Sequence, residues 1–200
     1  MKRIFDIIVS LVGLLFLAPI IIVVAGLLKL DEGPVIFSQE RVGLRGKRFK
    51  IFKFRSMAAD ESRRGVQVTA ENDPRITSLG RLLRKAKLDE LPQLFNVLLG
   101  EMSIVGPRPE VPRYVAIWPE EDRKKILSVR PGITDYATLY YHDEQAVLAR
   151  VQDPEKTYVQ NVVPHKLELY RDYVRDQSIG LDVRIILATL ARMIKRKSRI

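Results

Sequence analysis

Asp89 and Glu90 stand side by side in Lys87-Leu88-Asp89-Glu90-Leu91-Pro92-Gln93-Leu94-Phe95-Asn96-Val97-Leu98-Leu99-Gly100. The proline opens an apolar run with helical spacing, and proline is tolerated in a first turn because its missing N–H would have no partner there. The two carboxylates are therefore expected at or just before a helix N-terminus, where free backbone N–H groups and the positive end of the dipole suit anions. A carboxylate held there can serve as a nucleophile or a metal ligand. Two adjacent carboxylates also call for a cation, and Mg²⁺ is the ordinary one where phosphate is bound as well. The bland alternative is an acidic first turn, which many helices have.

Gly106-Pro107-Arg108-Pro109 shifts that balance. An arginine locked between prolines serves little packing purpose and suits a fixed guanidinium fork for a phosphate. Lys53-Phe54-Arg55-Ser56-Met57 lies upstream and Arg130-Pro131-Gly132-Ile133-Thr134 downstream. Taken together, these strings resemble the bacterial sugar transferases known as small monotopic phosphoglycosyl transferases, and the resemblance covers essentially the whole chain.

That resemblance implies transfer of a sugar-1-phosphate from a UDP-sugar to polyprenol (undecaprenol) phosphate, with release of UMP. Residue by residue, Asp89 matches the nucleophile that carries the phosphosugar covalently. Glu90 matches the Mg²⁺ ligand, with a further part in accepting the acceptor's proton. Arg108 and Arg55 match residues that hold substrate phosphate. The sequence departs from many relatives after Thr134, where Asp135-Tyr136-Ala137-Thr138-Leu139-Tyr140-Tyr141 replaces their Gly-Leu-Ala-Gln-Val-Asn-Gly. Sugar choice therefore does not transfer, and Tyr136, Tyr140 and Tyr141 are open to either base stacking or core packing. The resemblance is to small members, without the extra N-terminal membrane domain of larger ones.

These residues need elements to position them. Ile7 to Leu28 carries no charge, and roughly 20 apolar residues suffice to span a bilayer. Lys2 and Arg3 give a signal-peptide-like start, but the run is long, Asp6 interrupts its flank, and no small-residue cleavage site follows. The segment is expected to stay on the protein. Basic residues also flank both ends (Lys2 and Arg3 before, Lys29, Arg41, Arg45, Lys47 and Arg48 after), and basic flanks stay cytoplasmic. Pro19 removes a helical hydrogen bond near the middle. The expectation is a re-entrant hairpin over residues 1–30, bent at Pro19 and dipping into one leaflet of the bacterial inner membrane from its cytoplasmic face. Ala18 precedes the proline where many relatives carry serine.

Residues 31–200 are expected to form the cytoplasmic catalytic domain of an α+β, mostly helical fold. Val35-Ile36-Phe37 and Phe49 to Arg55 flank the turn Gly43-Leu44-Arg45-Gly46 as a β-hairpin, with Phe49, Ile51, Lys53 and Arg55 on one face. Of the two cations, Arg55 is the expected site residue and Lys53 the expected solvated one. Ala58 to Asp73 reads as a polar loop. Thr77 to Ala86 reads as a basic amphipathic helix delivering the chain to Asp89, and Leu181 to Ile200 as a second, whose basic end suits anionic headgroups. Trp118 is expected in the core.

The formal charge of +10 asks for an anionic partner. No cysteine occurs, which removes disulfides and thiolate metal sites, and two histidines are too few for a histidine-built zinc site. A carboxylate site for a hard cation stays open. The basic residues bracket apolar stripes and form no groove motif, so no nucleic-acid partner is expected. A non-catalytic, membrane-anchored module binding anionic lipid is the alternative from another class, and a homo-oligomer is compatible with the sequence.

Overall fold

The computed structural model describes residues 1–31, 33–58, 73–140, 148 and 151–197, with side chains as far as Met193 in the last helix. The expected polar loop lies almost wholly outside the described residues, as do Tyr141 and the basic side chains at the end of the last helix.

Helix α1 runs over Lys2–Lys29 without interruption at Pro19. Proline costs this helix one backbone hydrogen bond. Strands β1 (Ile36–Val42) and β2 (Arg48–Phe54) form the antiparallel hairpin, in register Ile36↔Phe54 to Val42↔Arg48. Its tip is a 3₁₀ turn at Leu44–Gly46. Helix α2 (Ser78–Lys85) is capped by Thr77, whose Oγ1 accepts from Gly80 N at 2.9 Å. A 3₁₀ turn at Leu88–Glu90 precedes α3 (Gln93–Leu99). After β3 (Ser103–Val105) come α4 (Pro112–Ala116), α5 (Glu120–Ile126) and β4 (Gly132–Thr134), and β4 pairs in parallel with β3. Helices α6 (Tyr136–Tyr140), α7 (Pro154–Thr157), α8 (Val163–Asp176) and α9 (Ile179–Lys197) follow. A π-helical turn at Tyr158–Val162 joins α7 to α8 just ahead of Pro164, which supplies no N–H to the ladder.

Alternation along β2 explains how the hairpin is covered. Phe49 and Ile51 are buried against α3, β3, Tyr173 and Ile185, whereas Phe54 is buried on another side with Val24, Leu28 and Leu83. A third cluster gathers Val42, Tyr114, Trp118, Ile126, Leu167 and Tyr170 behind the hairpin tip. Trp118 is thus a core residue, as expected.

Helix α1 is gripped at both ends by the same domain. At its start, Lys2 Nζ donates to Asp182 and to Val105 O, and Asp6 Oδ1 accepts from Ser103 Oγ and Ile104 N. Arg3 donates through both terminal nitrogens to Val97 O and Leu98 O, last-turn carbonyls at the C-terminus of α3. Ser10 Oγ donates to Leu94 O at 2.7 Å. At its end, Leu28 is buried and its carbonyl accepts from Arg55 Nη2. Between these grips an apolar face stays exposed, including Ile4, Ile8, Leu11, Leu15, Phe16, Ile22 and Val23. Helix α9 repeats the pattern: Asp182 and Ile185 are buried, while Ile179, Val183, Leu187, Leu190 and Met193 form an exposed apolar stripe at helical spacing.

Gly106 and Gly132 let the β3 and β4 ends approach closely. A Cβ on Gly132 would stand 2.1 Å from Gly106 N, and one on Gly106 would stand 2.4 Å from Arg130 O. Both obstacles are backbone and cannot rotate aside. Gly132→Ala should cost about 1–3 kcal/mol through overpacking, lowering the melting temperature by roughly 2–12 °C at this chain length. A thermal melt of the variant in detergent, unchanged from the parent, would refute this account of the turn.

Candidate active site

The site forms where four segments of the sequence converge. Leu88–Glu90 carries the carboxylate pair on its own 3₁₀ turn ahead of α3, with Pro92 at the N-cap position. The chain reaches that turn through Lys87, which adopts the left-handed conformation (φ 57°) and so ends the run of α2. Strand β2 brings Lys53. The turn after β3 brings Arg108. Helix α2 brings Arg84.

Glu90 is clamped. Lys53 Nζ donates to its Oε1 at 3.0 Å, Arg108 Nη2 donates to the same oxygen, and Arg108 Nη1 reaches Oε2 at 3.3 Å. Burial alone would push this carboxyl up, but Arg108 first and Lys53 next outweigh it and hold Glu90 well below the usual carboxylate range. The same contact raises the Arg108 guanidinium above its ordinary value. Burial draws the Lys53 ammonium down, with Glu90 opposing.

Asp89 is the contrasting partner. It is buried, and among the described residues no hydrogen-bond donor reaches its carboxylate. Burial, and then the charge of Glu90, raise its pKa, while Lys53, Arg84 and Lys87 pull the other way. The pair therefore holds one carboxylate with its oxygens taken and one with its oxygens available.

Further cations surround the pair. Arg84 Nε donates to Ser56 Oγ at 2.8 Å, whereas its Nη1 is buried without a partner. Arg41, on β1, donates from Nη2 to Gln39 and from Nη1 to Pro109 O, and its Nε is likewise buried and unpartnered. Its nearest carboxylate is Glu110, 3.7 Å from Nη1, and its charge is felt more weakly by Arg108 and Glu90. Buried N–H groups on two guanidiniums are costly unless a ligand accepts from them. An anion with several oxygens meets that need.

The Gly106-Pro107-Arg108-Pro109 turn is fastened from behind. Gly106 N donates to Thr134 O at 3.1 Å and Gly132 N donates to Pro107 O at 2.9 Å. Asp135, fully buried, accepts from Arg108 N at 3.0 Å through Oδ2 and from Thr138 N through Oδ1. This residue stands where the sequence leaves the pattern of its relatives. It locks the backbone of Arg108 and the start of α6 together.

The structure brings Asp89, Glu90 and Arg108 together, as expected. Arg55 is buried, and its Nη2 donates to Leu28 O and to Asp31 Oδ2 at the end of α1. Lys53, expected to be solvated, pairs with Glu90 instead. Arg55 lies one residue past the end of β2, where strand alternation no longer governs direction, whereas Lys53 keeps parity with Phe49 and Ile51 and faces the carboxylates. Arg84 and Arg41 were missed as site residues. The only sequence signals were a cation five positions before Asp89 on a helix flank and an arginine in a strand. Tyr136 packs edge-on against buried Tyr173 and Tyr140 against His165 at 4.4 Å, so both make ring contacts within the domain.

Comparison with known proteins gives the family. Residues 1–196 match the family described as bacterial sugar transferase. The chain belongs to that family. It is 40% identical over 200 residues to the undecaprenyl-phosphate glucose phosphotransferase of Komagataeibacter xylinus, covering 96% of this chain and 36% of that protein. It is 36% identical to the UDP-glucose:undecaprenyl-phosphate glucose-1-phosphate transferase of Escherichia coli K12, over 95% of this chain and 39% of that one. The exopolysaccharide production protein PSS of Rhizobium leguminosarum is 41% identical and matched nearly end to end (98% and 96%). The chain thus spans well under half of some curated relatives and almost the whole of another.

Two variants test the turn directly. Asp135→Ala would strand two buried backbone N–H groups at about 1–3 kcal/mol each. Asp135→Asn keeps one of the two accepted, on its single amide oxygen. The alanine variant should melt lower than the asparagine variant by several degrees, and equal melting would show that Asp135 does not hold the turn.

Proposed function

We propose that the protein transfers a sugar-1-phosphate from a UDP-sugar to polyprenol phosphate at a membrane surface. The observation that carries this reading is the asymmetry of the carboxylate pair among several cations: Glu90 is paired with Lys53 and Arg108, chiefly through Oε1, and Asp89 is buried, unpaired and available.

In this reading an Asp89 Oδ attacks the β-phosphorus of the UDP-sugar. A carboxyl-oxygen–phosphorus bond forms, the bond from phosphorus to the bridging oxygen breaks, and its electron pair leaves with UMP. A phosphate oxygen of the polyprenol phosphate then attacks the same phosphorus and releases Asp89 as the carboxylate. Two bulky substrates need never share the site. Arg108, Lys53 and the unpartnered N–H groups of Arg84 and Arg41 face the charge that develops on the phosphoryl oxygens, where fixed donors act most strongly.

Mg²⁺ fits the donor set. Among the described residues no cluster of three or more metal-ligating side chains exists, and Mg²⁺ is commonly held by one or two carboxylates with substrate phosphates and water completing its shell. Glu90, through the remaining lone pairs of Oε2, and Asp89 would be its protein ligands. When bound, the ion supplies charge neutralisation of the phosphates. Glu90, held far below the usual range by its cations, is a weak base. That supports its part as ligand and charge organiser over the part of proton acceptor.

The grips at both ends of α1 support attachment to one leaflet. A helix that crossed would have to surrender either the Lys2, Arg3 and Asp6 contacts or those of Leu28. Its exposed apolar face, with the stripe on α9, supports resting in the outer part of that leaflet, where the acceptor's phosphate lies. The proposed place is the cytoplasmic face of a bacterial inner membrane.

Asp89→Asn should lower UMP release from a panel of UDP-sugars with undecaprenol phosphate by at least about 10³-fold. It should also abolish an added phosphosugar mass at residue 89, with membrane attachment retained; full turnover in that variant removes the nucleophile assignment. The chain has no cysteine, so single cysteines at Met1 and Lys29 can report topology. Both should react with an impermeant maleimide only from the cytoplasmic side, and labelling of either from outside would show a crossing.

A further inference from the structure

The residues of Lys53-Phe54-Arg55-Ser56 leave the end of β2 in different directions. Lys53 goes to Glu90, Phe54 into the cluster with Val24, Leu28 and Leu83, and Arg55 to the end of α1. Ser56 is buried as well, and its hydroxyl takes no part in any of these contacts. It accepts from Arg84 Nε at 2.8 Å.

The backbone of Ser56 is fixed before its side chain acts. Its carbonyl accepts from Thr77 N at 3.2 Å, where α2 begins. To either side, Arg55 N donates to Val35 O at 3.0 Å and Ala58 N to Arg75 O at 2.9 Å. Helix α2 packs directly on this point, since a Cβ on Gly80 would stand 1.9 Å from Ser56 O. Arg84 lies one turn further along the same face of α2. The chain leaving β2 and the helix leading to Asp89 are thus held together, and the serine hydroxyl meets the arginine from a rigid base.

That bond decides where the guanidinium stands. Arg84 makes no other hydrogen bond among the described residues, and its Nη1 is buried without an acceptor. Of the carboxylates that act on it, Asp89 acts most strongly, then Asp73, then Glu90. Asp73 is taken by Arg75 through Nε and Nη2, and Glu90 by Lys53 and Arg108. Asp89 is the carboxylate left for Arg84, yet no direct bond joins them. An Arg84 closed onto Asp89 would occupy the oxygens needed for attack, and one swung toward Asp73 would withdraw its charge. Ser56 holds it between these extremes.

We propose that Ser56 is a positioning residue for the transfer: its Oγ holds the Arg84 guanidinium beside Asp89 with Nη1 open to a phosphoryl oxygen of a nucleoside-diphosphate sugar. The proposal rests on the reading of Asp89 as nucleophile given above. Ser56 touches neither substrate and acts only through Arg84.

The test measures UMP release by the full chain in detergent, with undecaprenol phosphate and the most active UDP-sugar of the panel. Ser56→Ala should lower kcat about tenfold, or about 1.4 kcal/mol. The KM for the UDP-sugar should change by less than about threefold. Ser56→Thr, which restores a hydroxyl, should recover most of the loss. Placed on Arg84→Gln, Ser56→Ala should change kcat by less than about twofold, because a residue that acts through another adds nothing once that other is gone. A further loss of about tenfold in that background would show that Ser56 supports the fold independently of Arg84, and would overturn the proposal. Parent-like turnover in Ser56→Ala would overturn it too. If Ser56→Ala does not fold, Ser56→Cys, whose sulfur is a weak acceptor, takes its place in the same cycle with the same outcomes. A parent that releases no UMP from any UDP-sugar would instead defeat the reading of the site as a transferase centre.

Discussion

Two carboxylates buried next to each other are the constraint from which the rest of this site follows. Ionised together they repel, and burial removes the water that would screen them. The protein answers by giving one of them two cations and the other none in contact. Lys53 and Arg108 come from a strand and a turn 55 residues apart in the sequence, so the pair is assembled only when the hairpin, α3 and the β3–β4 turn have docked. Arg84 and Arg41 add positive charge with buried N–H groups left over. Those N–H groups have no acceptor within the described residues, which is the observation on which the proposed phosphate binding rests.

The second constraint is depth. Helix α1 is apolar along its length, yet it enters the domain through Arg3, Asp6 and Ser10, polar side chains at spacings that share one face. Two of these act on α3: Arg3 takes the last-turn carbonyls and Ser10 takes Leu94 O. The carboxylate turn sits at the other end of α3. The apolar helix α1 and the position of Asp89 are thereby linked through one short helix. At the far end of α1, Arg55 performs the corresponding task by holding Leu28 O.

Much of this was legible in the sequence, and the failures have physical causes. The hairpin, the Thr77-capped helix, the burial of Trp118 and the turn-borne pair Asp89-Glu90 follow from alternation, capping and proline chemistry, which act locally. The division of labour between Lys53 and Arg55 does not. Both are cations near the end of one strand, and which faces the carboxylates depends on α1 covering one side of β2 and α3 the other. Arg84 and Arg41 were invisible for a like reason, because a cation becomes a site residue through its neighbours in space. Lys2–Lys29 is helical through Pro19, and a proline can bend a helix without ending it.

Asp135 shows how one buried carboxylate can hold a turn that carries a site residue. Glycine at this position would offer Arg108 no acceptor, and the turn would depend on proline rigidity and on the Gly106–Gly132 approach alone. Aspartate adds a carboxylate that binds the Arg108 N–H on one oxygen and the first turn of α6 on the other. Its burial raises its pKa, opposed by the Thr138 N–H and more weakly by Arg108. The guanidinium thus projects from a backbone fixed on three sides, and Glu90 is clamped by a fork that has little freedom to follow it. A turn held this firmly leaves Arg108 one way to meet Glu90, beside the unpaired carboxylate of Asp89.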